Sequence, residues 1–164
     1  MPKKKMDPRI QLLLEILERS YDRQAWHGTI AKSSIRGLKP AEALWRPGSK
    51  RHNIWEIVLH MAYWKYAVRR RLTQGPKSGF PRKGSDWIMA PSNPDEKAWK
   101  MDVALLHEQH KLLYETVESL SPARLDYIPP NAKLRNLMTI YGIAAHDVYH
   151  TGQIQLLKKL QRAR

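Results

Sequence analysis

Four stretches of this chain carry apolar residues at steps of three and four, so four helical faces must be buried against one another. Asp7-Pro8 reads as N-cap and first-turn proline of a helix with the stripe Ile10, Leu13, Leu14, Leu17 and Tyr21, predicted to run to about Ile35, before Gly37. Asn53 with Glu56 forms a capping-box pattern ahead of Ile57, His60, Trp64 and Ala67, and Gly75-Pro76 stops that helix. Asn93-Pro94 with Glu96 opens a third, whose stripe is Trp99, Val103, Leu106, His110, Leu113, Val117 and Leu120. The fourth runs from about Leu134 to Leu160, with Ile143, His146, His150, Gln153, Leu157 and Leu160 on one face.

No stretch alternates between turn signals as a strand would, which makes this an all-α chain. Long helices separated by interruptions at 36–52, 75–93 and 121–133 predict a four-helix bundle forming one domain over residues 1–164. The interruption at 75–93 is long enough to carry the chain from one end of the bundle to the other. The chain also echoes itself: Leu38-Lys39-Pro40-Ala41 leads to Trp45 and Pro47, and Leu120-Ser121-Pro122-Ala123 leads to Tyr127 and Pro129. Each copy precedes a histidine-bearing helix, which suggests two related helical hairpins.

No apolar run reaches the roughly 20 residues of a membrane span, and Met1-Pro2-Lys3-Lys4-Lys5 does not open a signal peptide; the expectation is a cytoplasmic protein without a membrane partner. The absence of cysteine excludes a disulfide framework, a thiolate-ligated metal and a cysteine nucleophile. A net charge of +14 allows a polyanionic partner or a merely soluble surface. Its basic runs are Lys3-Lys4-Lys5, Arg69-Arg70-Arg71, and Lys158-Lys159 with Arg162 and Arg164. A simple up-down-up-down bundle gathers all three at one end as a nucleic-acid-binding patch, whereas a crossover through 75–93 sends the tail to the opposite end.

His146 and His150 stand four apart, so their rings project side by side at a spacing that lets two nitrogens reach one metal ion. His60, in the stripe of the second helix, is the natural third ligand. Three core histidines bonded to carbonyls would give the same pattern. As ligands, three neutral imidazoles would leave coordination positions open, as in catalytic sites, and would accept Zn, Ni or Fe. His146-Asp147-Val148-Tyr149-His150 carries Asp where helical zinc proteases carry their general-base Glu, and no histidine follows His150, which argues against that class.

The segments Asn53-Ile54-Trp55-Glu56-Ile57-Val58-Leu59-His60-Met61-Ala62-Tyr63-Trp64 and His146-Asp147-Val148-Tyr149-His150-Thr151-Gly152-Gln153-Ile154 resemble the DinB family, also called DinB/YfiT-like, over about residues 9–161. That resemblance implies a four-helix bundle with one crossover, often a homodimer, holding a divalent metal through His60, His146 and His150. Relatives of the wider fold include transferases and an isomerase that use low-molecular-weight thiols. The implied activity is a metal-dependent thiol S-transferase acting on a small electrophilic substrate. Hydrolysis by a metal-activated water needs the same three ligands, and a non-enzymatic basic bundle that binds nucleic acid is the alternative outside enzymes.

Around the trio, Gln153 lies on the face of His150, where its amide can bond a metal ligand or pack between helices. Trp64 and Tyr149 are the aromatic candidates for substrate contact. Glu56 is explained by its capping role, His110 by a core environment, His107 by solvent, and His27 and His52 by default structure. Trp26, Trp55 and Tyr66 lie beyond the narrow stripes and are candidates for the homodimer contact.

Overall fold

The computed structural model describes residues 6–76 and 79–163. They form seven helices: α1 (Pro8–Tyr21), α2 (Ala31–Ile35), α3 (Pro40–Leu44), α4 (Ile54–Thr73), α5 (Glu96–Glu118), α6 (Pro122–Asp126) and α7 (Asn136–Arg162), with no strand among them. The four long helices are the bundle. Lys3–Lys5 and Arg164, parts of two basic runs, lie outside the described residues.

Local chemistry sets the helix ends. Asp7 caps α1 by accepting from Arg9 N, with Pro8 at the first helical position. Asn53 caps α4 through Glu56 N, and Gln74, in the left-handed region, closes it. The cap of α5 is Asp95, whose carboxylate accepts from Ala98 N at 2.7 Å, two residues beyond the predicted Asn93. The first helix also departs from expectation. It ends at Tyr21 and not near Ile35, because Asp22-Arg23-Gln24 carries no apolar side chain to extend the stripe and Gly28 turns at φ +101°. Helix α2 is a separate turn that packs on α7.

Side-chain pairs give the helix directions. Trp55 Nε1 donates to Asp102 Oδ2 at 2.8 Å and Lys65 Nζ donates to His110 Nδ1 at 3.3 Å, so residue numbers rise together along α4 and α5 and the two helices run parallel. His60 meets His150, Lys65 meets Asp147, and Leu72 shares a cluster with Ile140, so α7 runs antiparallel to α4. Arg9 pairs with Asp126 just before α7, and Lys158 near its end donates to Ser34 O at 2.8 Å, so α1 runs with α7. The order is up, down, down, up. The segment between α4 and α5 is therefore the crossover that its length implied.

The two echoing segments become matching parts. Helices α3 and α6 each start on a proline and end where the chain turns extended at Trp45 or Tyr127. Each is tied to the next long helix by an asparagine: Asn53 Nδ2 donates to Leu44 O and Asn136 Nδ2 to Arg124 O. Both α1 and α4 neighbour α5 and α7. The bundle is thus two long-short-long hairpins, α1–α3–α4 and α5–α6–α7, joined by the crossover.

The apolar core is interrupted at mid-height. One part holds Ile54, Leu59, Trp99, Leu106 and Ile154, the other Leu17, Leu72, Leu113, Val117 and Ile140. Between them each long helix buries polar groups: Ser20 and Tyr21 on α1, Lys65 on α4, Gln109 and His110 on α5, Asp147 and His150 on α7. Lys65 and Asp147 are wholly buried and paired at 2.5 Å. Tyr21 stacks on His110 at 3.8 Å, and its hydroxyl meets His107 Nδ1 at 2.6 Å, so His107 is tied into this layer and not left to solvent.

The basic runs are separated by the crossover. Arg69–Arg71 sit at the end of the bundle where Arg124 reaches Leu72 O, while Lys158, Lys159 and Arg162 sit at the other, beside α2. No helix among the described residues is long and apolar enough to cross a membrane.

Candidate metal centre

The polar layer opens at the seam between α4 and α7. His60 lies five residues before Lys65, and His146 and His150 flank Asp147, so the packing that buries the Lys65–Asp147 pair also turns three imidazoles toward one point. His146 Nε2 lies 3.0 Å from both His60 Nε2 and His150 Nε2. All three nitrogens fall within 4.8 Å of one another.

The far side of two rings decides their protonation. His60 Nδ1 donates to the Asp86 carbonyl oxygen at 3.1 Å, and that oxygen can only accept. His150 Nδ1 donates to Gln153 Oε1 at 2.7 Å, while Gln153 Nε2 donates to the Tyr149 hydroxyl at 3.1 Å, which holds the amide in that orientation. With Nδ1 protonated, the neutral ring carries its lone pair on Nε2. Burial holds all three rings neutral, taking His146 down to about 3 and His150 to about 4, with mutual repulsion among the imidazoles adding to the effect at His146.

This donor set fits a divalent cation. Two lone pairs converge on His146 Nε2, which can offer one proton to one of them and nothing to the other. His146 Nδ1 is buried without a partner. Metal–nitrogen bonds of about 2.0–2.1 Å hold adjacent ligand nitrogens roughly 3.0–3.4 Å apart, the separation the apposed pairs already have. The oxygen acceptors behind His60 and His150 are the outer partners that fix tautomer and ring orientation in metal sites.

The crossover segment, whose length already pointed to a functional loop, finishes the site through Asp86 and Trp87, residues the sequence did not single out. Asp86 adopts φ 60°, a left-handed conformation that Asp tolerates better than most residues. Its carbonyl accepts from His60, and its carboxylate accepts from Trp64 Nε1 at 2.8 Å. Trp87 is sandwiched between His60, at 3.9 Å, and His52, at 3.6 Å, both nearly parallel to it. His52 in turn donates from Nδ1 to Glu56 Oε2 at 3.0 Å. The long, unpatterned, Gly- and Pro-bearing segment was the available signal for this role; Trp87 lacks any spacing that would mark it.

Several sequence expectations are placed differently. The Glu56 carboxylate does not close a capping box: it is 1% exposed and bound by Arg46 and His52, because burial at the head of α4 demands a cationic partner. His110, by contrast, is the core residue that the sequence predicts, buried against Lys65 and Tyr21. Trp55 and Tyr66 are buried within the chain, Trp55 against Trp99 and Tyr66 against Phe80, and so supply no dimer contact; Trp26 is fully exposed. The residues singled out beside the trio do gather there. Trp64 lies 6.3 Å from the His60 ring, Tyr149 5.0 Å from that of His150, and Gln153 bonds His150.

Comparison with curated proteins found no match, and comparison with solved structures found none either. The family model of the DinB superfamily matches residues 17–154, a span that begins in α1 and takes in all three histidines, the crossover and most of α7. On that match, over most of its length, the chain belongs to the DinB superfamily.

Proposed function

We propose that His60, His146 and His150 hold one divalent metal ion and that the chain is a metal-dependent transferase moving a small thiol onto an electrophilic substrate. The observation that carries this reading is the pair of imidazole lone pairs locked toward His146 by Asp86 and Gln153. The metal would supply Lewis acidity, undiminished by any anionic ligand, that draws a thiol's pKa toward neutrality. With no cysteine in the chain, the sulfur must come from a low-molecular-weight cosubstrate. The thiol loses its proton to solvent, its sulfur forms a bond to the electrophilic carbon, and the leaving group departs with the electron pair of the bond that breaks. Trp64 and Tyr149 flank the histidines and present faces for the electrophile. Such thiols are kept reduced in the cytoplasm, where we place the protein.

The test is turnover. Metal-loaded protein incubated with a panel of cellular thiols and a chromogenic electrophile should consume thiol and electrophile in equal amounts, and His150→Ala should not. Turnover of esters or amides without any thiol would replace this reading with a metal-dependent hydrolase. The split of the basic runs between opposite ends speaks against a nucleic-acid-binding bundle.

We further propose that the chain is a homodimer joined through α7. Met138, Tyr141 and Val148 are exposed along one outward row of that helix, with Ala145 and Gly152 leaving room for close approach, and a side chain at Gly152 would meet nothing within its own chain. Light scattering at micromolar concentration should give twice the chain mass, and Val148→Glu should halve it; a monomeric parent protein would overturn the assignment.

A further inference from the structure

A cleft of about 690 Å³ opens beside the histidine cluster, between the 47–52 turn and the end of α7, within the size range of small-molecule sites. Two of its lining residues also serve the cluster. Trp87 presents one ring face to His60, and Gln153 holds His150. These two side chains therefore border both the cleft and the histidine cluster.

The rest of the lining is chemically divided. Ile57, Leu156, Leu157 and Leu160 form an apolar floor, with Leu156 58% exposed and Leu160 44% exposed. Lys50, Arg51 and His52 form the opposite lip, and no acidic side chain lines the cleft. The carboxylate nearest in sequence, Glu56, is buried and occupied by Arg46 and His52, so it does not pair with Lys50 or Arg51. Neither Lys50 nor Arg51 has an ion pair among the described residues. An apolar floor facing two unpaired cations selects a molecule with both characters.

We infer that this cleft binds an organic acid with an aliphatic or aromatic body, its carboxylate held by Lys50 and Arg51 and its apolar part lying along Leu156 and Leu160 toward Trp87. This rests on the transferase reading in taking that acid as the electrophilic cosubstrate. The binding itself requires only the cleft. Lys50 and Arg51 are then specificity-determining residues.

Isothermal titration of the chain of residues 1–164 with sodium octanoate, at low salt and with and without zinc, tests this apart from activity. One octanoate should bind per chain, with octylammonium and octanol each at least about tenfold weaker. The double substitution Lys50→Ala and Arg51→Ala should weaken octanoate about tenfold or more. Lys39→Ala with Lys100→Ala removes the same charge at the groove between α2 and α5 and should leave binding unchanged. Octanol binding as tightly as octanoate, or equal loss in both double variants, would overturn the inference. Zinc binding without octanoate binding defeats the cleft assignment alone, and octanoate binding without zinc binding defeats the metal reading alone.

Discussion

Single replacement of His60, His146 or His150 with Ala lowers affinity for a divalent metal by more than about 100-fold while the protein stays helical. Loss of an outer partner of a ligating histidine costs about 10–100-fold, and loss of the ligand itself exceeds that because a coordinate bond disappears. Gln153→Leu supplies the internal comparison. It removes the acceptor that holds His150 Nδ1 and leaves all three nitrogens, so its loss should fall within the 10–100-fold range. The fold survives because the flanking apolar clusters, from Leu59 and Ile154 on one side to Leu72 and Ile140 on the other, remain intact. Metal content of tag-free protein, with circular dichroism alongside, reads both effects. Unchanged metal stoichiometry in all three alanine variants would show that the ion is held elsewhere.

Lys65→Met destabilises the protein by about 3–5 kcal/mol, and adding Asp147→Leu restores most of that loss. Breaking one side of a buried ion pair leaves a charge without water or partner, whereas replacing both sides with apolar groups of similar size is often neutral. The two side chains are wholly buried, and burial pulls the Lys65 ammonium below its usual pKa and pushes the Asp147 carboxyl above its own, each opposed by the other's charge. In the single variant Asp147 keeps no cation and already has one oxygen without a partner. The lost ammonium also gave up its place over the Tyr21 ring, 4.7 Å away, and its bond to His110. Urea unfolding at neutral pH measures the difference. A single variant within about 1 kcal/mol of the parent, or a double variant no better than the single, would mean that the pair is not the desolvated contact described.

The Lys65 layer also shows where sequence reasoning reached its limit. Lys65 sits outside the Ile57, His60, Trp64, Ala67 stripe, yet α4 is enclosed by α5, α7 and the crossover and buries nearly its whole circumference. Asp147 sits between two histidines, where its sequence context distinguishes the chain from helical zinc proteases and says nothing of a partner. Neither residue signals the other, because they are 82 positions apart and meet only when α4 and α7 pack antiparallel.

What the sequence determined by itself was everything carried by local periodicity and short spacing. The 3.6-residue repeat of Leu13, Leu17, Leu106, Leu113, Ile143 and their neighbours fixed four long helices, because a stripe at that period has only one regular structure that can bury it. Asp7 and Asn53 fixed two helix starts, and the four-residue step from His146 to His150 fixed two rings on one face. The tertiary structure decided the rest: the up-down-down-up order and the partner of each polar side chain. It brought Asp86 and Trp87 from the crossover onto His60, and it set Trp87 and Gln153 at the border of both the histidine cluster and a basic and apolar cleft. Those contacts depend on which helices become neighbours, a long-range outcome of packing four amphipathic faces together, and no pattern within one segment encodes it.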